Sequence, residues 1–336
     1  MLRTNTYLPL SVFICLFLIN PVQSRADSTK SPSDKSAVIN SELDDVEKDF
    51  PKKDIFQGLV TPSGNKAPSN VKNRVHSLDT GVEFLYYRYE EPSYLTIDGS
   101  TTHDVTLQGP MYGYYADYAY RPKSPNILNN IMTNVYFFQG RYAVSRDLKY
   151  KGSGISKNEH DDDMEFRGLI GKDYSLGADS IVTPYFGFGY RYLIDHGNGH
   201  ISSVGNYGDD RKSHYYYLPL GGYVVINMSR NWEIDPNAEY DIFLQGWQKS
   251  FLSDGNQFGN NNPDLVNHQD HGYGVRASVK FLRKGPMFDF YVEPYIRYWH
   301  IEESKPETVS VDGTEQTLVE PNNTTTEIGS KFGIQF

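Results

Sequence analysis

From Thr80 onward the chain breaks into about ten stretches in which apolar and polar residues alternate with a period of two. That period sends successive side chains to opposite faces of a strand, so each stretch has one apolar face and one face of charge, hydroxyl and glycine. The stretches are 81–90, 111–121, 133–146, 163–174, 182–194, 214–226, 237–249, 273–281, 288–300 and 324–336. Most are near the roughly 9–11 residues that a tilted strand needs to cross a bilayer. In the first, Val82, Phe84 and Tyr86 share a face; in the seventh, Ala238, Tyr240, Ile242 and Leu244 oppose Glu239, Asp241 and Gln245. The sixth is aromatic on both faces, so its facing is not set, and the link 231–236 has room to conceal an extension. Eight or twelve strands therefore stand beside ten.

The connections alternate in length. Short links follow the even stretches, at 122–131, 175–180, 227–230 and 283–286, and long polar links follow the odd ones, at 91–109, 147–162, 195–213, 250–272 and 302–323. Short periplasmic turns, long external loops and an even strand count are the pattern of an outer-membrane barrel with both termini inside. The expected fold over 79–336 is all-β: a closed antiparallel transmembrane β-barrel of about ten strands, an up-and-down meander.

Composition excludes the helical alternative. Mean hydropathy is −0.57, and beyond the first residues no stretch is long and apolar enough for a spanning helix. A barrel tolerates this because only alternate residues face lipid. Arg3, the apolar run from Tyr7 to Ile19 and the small residues around Ala26 read as a secretory signal peptide, 1–26. Its removal would take away the only cysteine, Cys15, and leave 30 basic against 42 acidic residues, a formal −12. Ile14 before Cys15 argues against lipidation, and the acidic balance against a nucleic-acid partner. Residues 27–78, rich in Ser, Lys, Asp, Asn and Pro, read as a disordered periplasmic segment, with a plug or docking element as the functional alternative.

In the last stretch Ile328, Phe332, Ile334 and Phe336 share one parity, and Glu327, Gly329, Lys331, Gly333 and Gln335 the other. Together with Tyr185-Phe186-Gly187-Phe188-Gly189-Tyr190-Arg191-Tyr192 and Val292-Glu293-Pro294-Tyr295-Ile296-Arg297-Tyr298-Trp299, the terminal Gly333-Ile334-Gln335-Phe336 resembles the porin-like outer-membrane β-barrel proteins of Gram-negative bacteria. The resemblance covers about Thr80 to Phe336. It implies a cell outer-membrane location, a passive porin-like or structural role, and Phe332, Ile334 and Phe336 as an assembly signal read by the barrel assembly machinery. Outer-membrane lipids and lipopolysaccharide would then be the surrounding partners.

Taking the polar parity as inward places Glu83, Asp117, Glu165, Asp173, Glu239, Asp241, Glu293 and Glu327 in the lumen. The opposing cations are Arg141, Arg167, Arg191, Arg276, Lys280, Arg297 and Lys331. A ten-stranded barrel is narrow enough for side chains to fill, and unpaired buried charge is costly. The expectation is a salt-bridge lattice that holds the barrel and closes it to large solutes; the alternative is a small polar channel tuned by charge rings.

Enzymatic motifs are incomplete. Omptin proteases set an Asp pair against an Asp-x-His; Asp161 and Asp163 could mimic the pair, but no Asp-x-His occurs, and Asp195-His196 and Asp270-His271 are adjacent residues. Barrel-type lipid A deacylases use a His-x-Ser with a downstream Glu; His200-Ile201-Ser202 is followed by no Glu before Glu233. Asp254-Gly255-Asn256-Gln257-Phe258-Gly259 begins like a calcium loop, but Phe258 and Leu265 stand at ligand positions. His268, Asp270 and His271 lack ligand spacing, and Asp161-Asp162-Asp163 reads as a solvated run. No catalytic residue, metal or cofactor is expected. Long external loops on a rigid scaffold leave surface recognition or adhesion as a further reading, with ligand unspecified.

Overall fold

The computed structural model describes residues 74–92, 104–122, 133–177, 180–254, 262–311 and 314–336. The expected signal peptide and the expected N-terminal segment as far as residue 73 lie outside the described residues. The strands are β1 (His76–Glu91), β2 (Val105–Tyr120), β3 (Val135–Lys151), β4 (Ile155–Gly171), the short β5 (Tyr174–Leu176), β6 (Ser180–His196), β7 (Asp210–Asn227), β8 (Trp232–Ser250), the short β9 (Leu265–Gln269), β10 (Gly272–Arg283), β11 (Asp289–Ile301), a hairpin of β12 (Glu307–Val311) with β13 (Thr314–Leu318), and β14 (Asn323–Gln335). The long strands pair antiparallel in sequence order, β8 pairs with β10, and β14 returns to β1 with Val82 opposite Phe332 and Tyr86 opposite Ile328. The result is a closed ten-stranded meander barrel, with β5 added to β6 and β9 to β8.

Alternation decides the facing. Phe84, Phe138, Phe166, Phe186, Leu220 and Ile328 are exposed on the outside, the surface that lipid covers, whereas Leu85, Tyr115, Ala143, Tyr185 and Tyr291 are buried inside. The ambiguous sixth stretch turns Tyr215 and Tyr217 inward, at 4% and 0% exposure, and Leu218 and Leu220 outward. Both parities are aromatic there, but a tyrosine suits a charged interior because its hydroxyl can reach a partner. That of Tyr217 donates to Glu165 Oε1 at 2.7 Å.

Three expectations need correction. The stretch 147–162 is not a polar loop: β3 and β4 run through it and turn at 152–154, with register shifts between Ser145 and Lys149 that keep Leu148 fully buried. The link 231–236 is almost entirely strand, since β8 begins at Trp232, which fixes the count at ten without an extra pair. Between β7 and β8, Tyr216 pairs with Gln245 but Tyr217 with Phe243, and this bulge in β8 leaves both Leu244 and Gln245 outward. The strict period that put Gln245 inside fails there because the bulge adds one residue to one strand.

Closure has a steric condition. A Cβ at Gly81 would lie 2.1 Å from the Phe332 carbonyl oxygen and 2.6 Å from Gly333 Cα, so β1 and β14 meet this closely only because position 81 has no side chain. Inside, three apolar clusters flank the charged belt: Leu85, Tyr87, Leu107, Met111, Ala143, Leu148 and Tyr295; Tyr215, Tyr217, Phe243, Trp299 and Ile301; and Tyr115, Leu282 and Tyr291.

Candidate functional site

The inward charges gather into two connected groups across the middle of the barrel. In the first, Arg141 donates through Nε to Glu83 (2.9 Å) and through Nη1 to Asp163 (3.0 Å), and its Nη2 stands 3.1 Å from Glu327. Arg191 reaches Asp163 at 3.1 Å and Glu327 at 2.8 Å; Arg297 reaches Glu327 at 2.9 Å and Glu83 at 3.3 Å. Three guanidinium groups and three carboxylates thus alternate, each carboxylate shared, and Tyr295 adds a hydrogen bond to Glu83 (2.9 Å). All six side chains are at most 8% exposed. Register explains the meeting: Arg141 lies opposite Glu165, Glu165 opposite Arg191, and Arg297 opposite Glu327, so charges of both signs stand side by side around the wall.

In the second group Arg276 holds Glu165 in a two-bond fork (2.7 and 2.5 Å) and donates through Nε to Asp241 (2.6 Å), with Glu239 at 3.2 Å. Arg167 pairs with Glu239, which also accepts from the Tyr185 hydroxyl at 2.8 Å. Planar guanidinium forks suit this geometry better than ammonium groups, and all five of these cations are arginines. Trp299 lies against the lattice, 5.7 Å from the Arg191 guanidinium and 5.5 Å from that of Arg276.

Below the lattice, on the side of the short turns, is a cavity of ≈ 210 Å³ lined by Asp117, Gln139, Lys280, Glu293 and Lys331 among others. It has room for a handful of waters. Lys331 reaches Asp117 (3.3 Å), Lys280 reaches Asp79 (2.9 Å) and Asp235 (3.6 Å), and Glu293 stands opposite Lys331 in register. Asp173 lies beyond the end of β4, where it accepts from Arg121 Nε (2.9 Å) and from Thr183 (2.7 Å) and so ties the short-turn end together.

All fifteen charged residues singled out by parity therefore take part in this interior system, Asp173 from a connection rather than from the wall. Parity assignment left out Asp163, Asp79, Asp235 and Arg121. The first two were legible, since Asp163 shares parity with Glu165 and Arg167, and Asp79 with Glu83. Of the terminal residues, Phe332 and Phe336 are exposed outside; Phe332 packs edge-on against Phe84 across the seam and Phe336 against Phe288.

At the long-loop end, the motif residues are dispersed. Asp163 is committed to the lattice, whereas Asp162 faces outward 3.2 Å from His196 Nε2. His200 stands 3.2 Å from Glu159, and the Ser202 hydroxyl accepts from Asn206 N. Asp161 lies opposite Asp195 in register and is buried, with no partner for its Oδ1 among the described residues. Most of the calcium-like loop, 255–261, lies outside the described residues. Among the described residues, no group of three or more His, Cys, Asp or Glu side chains is arranged to hold a metal ion. Glu320, in the connection that leads into β14, is buried beside Tyr89; burial pushes its carboxyl up to about 8, against the opposing pull of Arg211, with Glu91 adding to the rise.

No protein-family model matches the sequence, and no curated protein matches it. Solved structures do. The outer membrane protease OmpT from Escherichia coli superposes with a TM-score of 0.54 at 9% identity, over 82% of this chain and 99% of that one. The fold is that of a ten-stranded outer-membrane β-barrel. Ail, the attachment invasion locus protein of Yersinia pestis (11% identity, TM-score 0.28, 78% of this chain and 100% of that one), and the Ralstonia pickettii toluene transporter TbuX (7%, 0.31, 78% and 89%) are also Gram-negative outer-membrane barrels. At those scores they add nothing about this chain's activity.

Proposed function

We propose that this protein is a porin-like outer-membrane barrel sealed by its own side chains, a rigid scaffold that carries external loops rather than a passage for solutes. The observation that supports it is the charge-compensated lattice across the middle of the lumen, with buried aromatic and aliphatic clusters packed against it. A conducting filter needs ligands weak enough to release an ion and free to exchange with water. Here each arginine of the lattice already holds carboxylates, and ions would have to break several charge-assisted bonds in sequence. The long-loop end faces the outside, lipid and lipopolysaccharide surround the aromatic outer face, and the barrel assembly machinery inserts the chain. The refolded protein in a planar bilayer should remain silent; reproducible conductance steps whose ion selectivity changes in Arg141→Glu would overturn the reading.

One arrangement favours a second reading, an outer-membrane hydrolase. Asp161 and Asp195 are directly opposed on neighbouring strands, a placement that brings Cβ atoms to about 5 Å, and a carboxylate pair of that kind can share a proton and activate water. Cleavage of peptide or lipid A substrates that vanishes in Asp161→Asn would establish it.

A further inference from the structure

The continuation of β3 and β4 past the membrane-spanning length was not expected from the sequence, and its tip is built into a platform. Gly152 N donates to the Gly154 carbonyl (2.9 Å), closing the turn. The loop between β6 and β7 then docks on it. Ser203 N donates to the Ile155 carbonyl (2.9 Å), Ile155 N donates to the Ser203 hydroxyl (3.1 Å), and Asn206 Nδ2 donates to the Ser153 hydroxyl (3.0 Å). Within the loop Ile201 bridges to Tyr207, and Gly154 leaves room that Ser202 and Val204 occupy, with Ser202 Oγ 2.8 Å and Val204 Cγ2 3.0 Å from where a Cβ would be.

This platform ends in apolar side chains. Ile155, Ile201, Val204 and Tyr207 are 55%, 55%, 61% and 50% exposed. The exposed faces of the barrel wall are explained by lipid, but these residues stand on the β6–β7 loop and at the head of β4, next to the hairpin turn at the long-loop end. Ile155 and Ile201 line one concavity, Tyr207 is bridged to Ile201 and Val204 lies beside Gly154; exposed apolar side chains gathered on a hydrogen-bonded support mark an interaction site.

Charge identifies the partner. Lys149 and Lys157 are directly opposed across β3 and β4, both exposed, and neither has a partner among the described residues. Like charges directly opposite destabilise a strand pair. Lys151 is exposed on the same hairpin, paired in register with Ile155. The nearest acid on β4, Glu159, is buried and engaged with His200. In a chain whose formal charge is −10, the tip therefore carries three lysines around exposed aliphatic groups. Aliphatic and aromatic groups at an apex with lysines beside them on the hairpin are the chemistry of interfacial insertion: the apolar groups enter between headgroups while the lysines meet lipid phosphate.

We propose that the β3–β4 tip, together with the loop between β6 and β7, docks on an anionic phospholipid bilayer apposed to the cell. The proposal rests on the reading that the long-loop end faces outward, so the two need separate tests. Glu315→Cys, on the β12–β13 hairpin at the same end, reports orientation: labelling on intact cells by a membrane-impermeant maleimide places that end outside, and protection from it removes the ground for the proposal. Docking is tested with the refolded protein in phosphatidylcholine nanodiscs, floated with phosphatidylcholine–phosphatidylserine vesicles or with phosphatidylcholine vesicles alone. Flotation should require phosphatidylserine. Each lysine near an anionic surface contributes about fivefold in partitioning, so Lys149→Gln with Lys157→Gln should lower binding by about 25-fold. Both side chains are exposed and mutually repulsive, so the barrel should fold as before. Ile155→Ser with Val204→Ser should also release the vesicles, which separates insertion from charge attraction alone. Equal flotation with both vesicle types, or unchanged binding in either double variant, would overturn the proposal. So would binding to soluble heparin with no vesicle flotation, which would assign the tip to a sulfated glycan.

Discussion

Glu327 is the sharpest test of whether the lumen is a packed interior or a wet channel. Its carboxylate is 1% exposed and stands 2.8 to 3.1 Å from Arg141, Arg191 and Arg297. Glu327→Gln keeps the shape and removes the charge, leaving three guanidinium groups to share Glu83 and Asp163. Breaking a buried ion pair from one side costs about 3–5 kcal/mol, because the abandoned charge stays buried. Arg191, already the least exposed of the three at 2%, has only Asp163 left. Removing Arg191 as well, in Glu327→Gln with Arg191→Met, restores neutrality and should recover most of the loss, since replacing a buried pair by apolar volume is often neutral. The assay is guanidinium unfolding of the refolded barrel in lipid vesicles, followed by Trp fluorescence. With a slope of about 4 kcal/mol per molar, the single variant should unfold about 1 M earlier. Wild-type midpoints for Glu327→Gln would mean that water already screens these charges. A double variant no more stable than the single would mean that the loss was packing and not charge.

Three further outcomes follow from the same geometry. The Glu320 carboxyl, raised to about 8 in the folded chain from an ordinary 4.5, makes the native state hold its proton more tightly; the stabilisation is complete below pH 4.5 and is lost as pH rises through 8. Amide exchange in β12 and β13 should therefore quicken between about pH 4.5 and 8 beyond its intrinsic rise and level off above 8, and Glu320→Gln should flatten that excess. Gly81→Val should stop β1 from closing on β14, read as loss of the heat-modifiable folded band on gels; a folded band of normal yield would disprove the steric account. Deleting Phe336 should leave refolding in detergent intact but reduce outer-membrane insertion in cells, and equal insertion would remove the terminal aromatic from the assembly signal.

Alternation, with the lengths of the connections, determined the fold class and the facing of the strands apart from the sixth stretch and the end of the seventh, because a lipid-facing wall imposes one chemistry outside and allows another inside at a period the eye can count. Parity, a local property of a strand, also directed fifteen charges to the interior; fourteen of them stand on wall strands, and Asp173 lies beyond the end of β4. What alternation could not supply was everything that breaks the period or depends on shear. The bulge at Leu244 and Gln245, the inward choice of Tyr215 and Tyr217, and the strand character of 147–162 were decided by partners on other strands. Pairing within the lattice is the clearest case. Glu83 and Arg141 are separated by β2, and Arg276 and Glu165 are 111 residues apart. Strand tilt and closure bring them within hydrogen-bonding distance, and a one-dimensional pattern carries neither quantity.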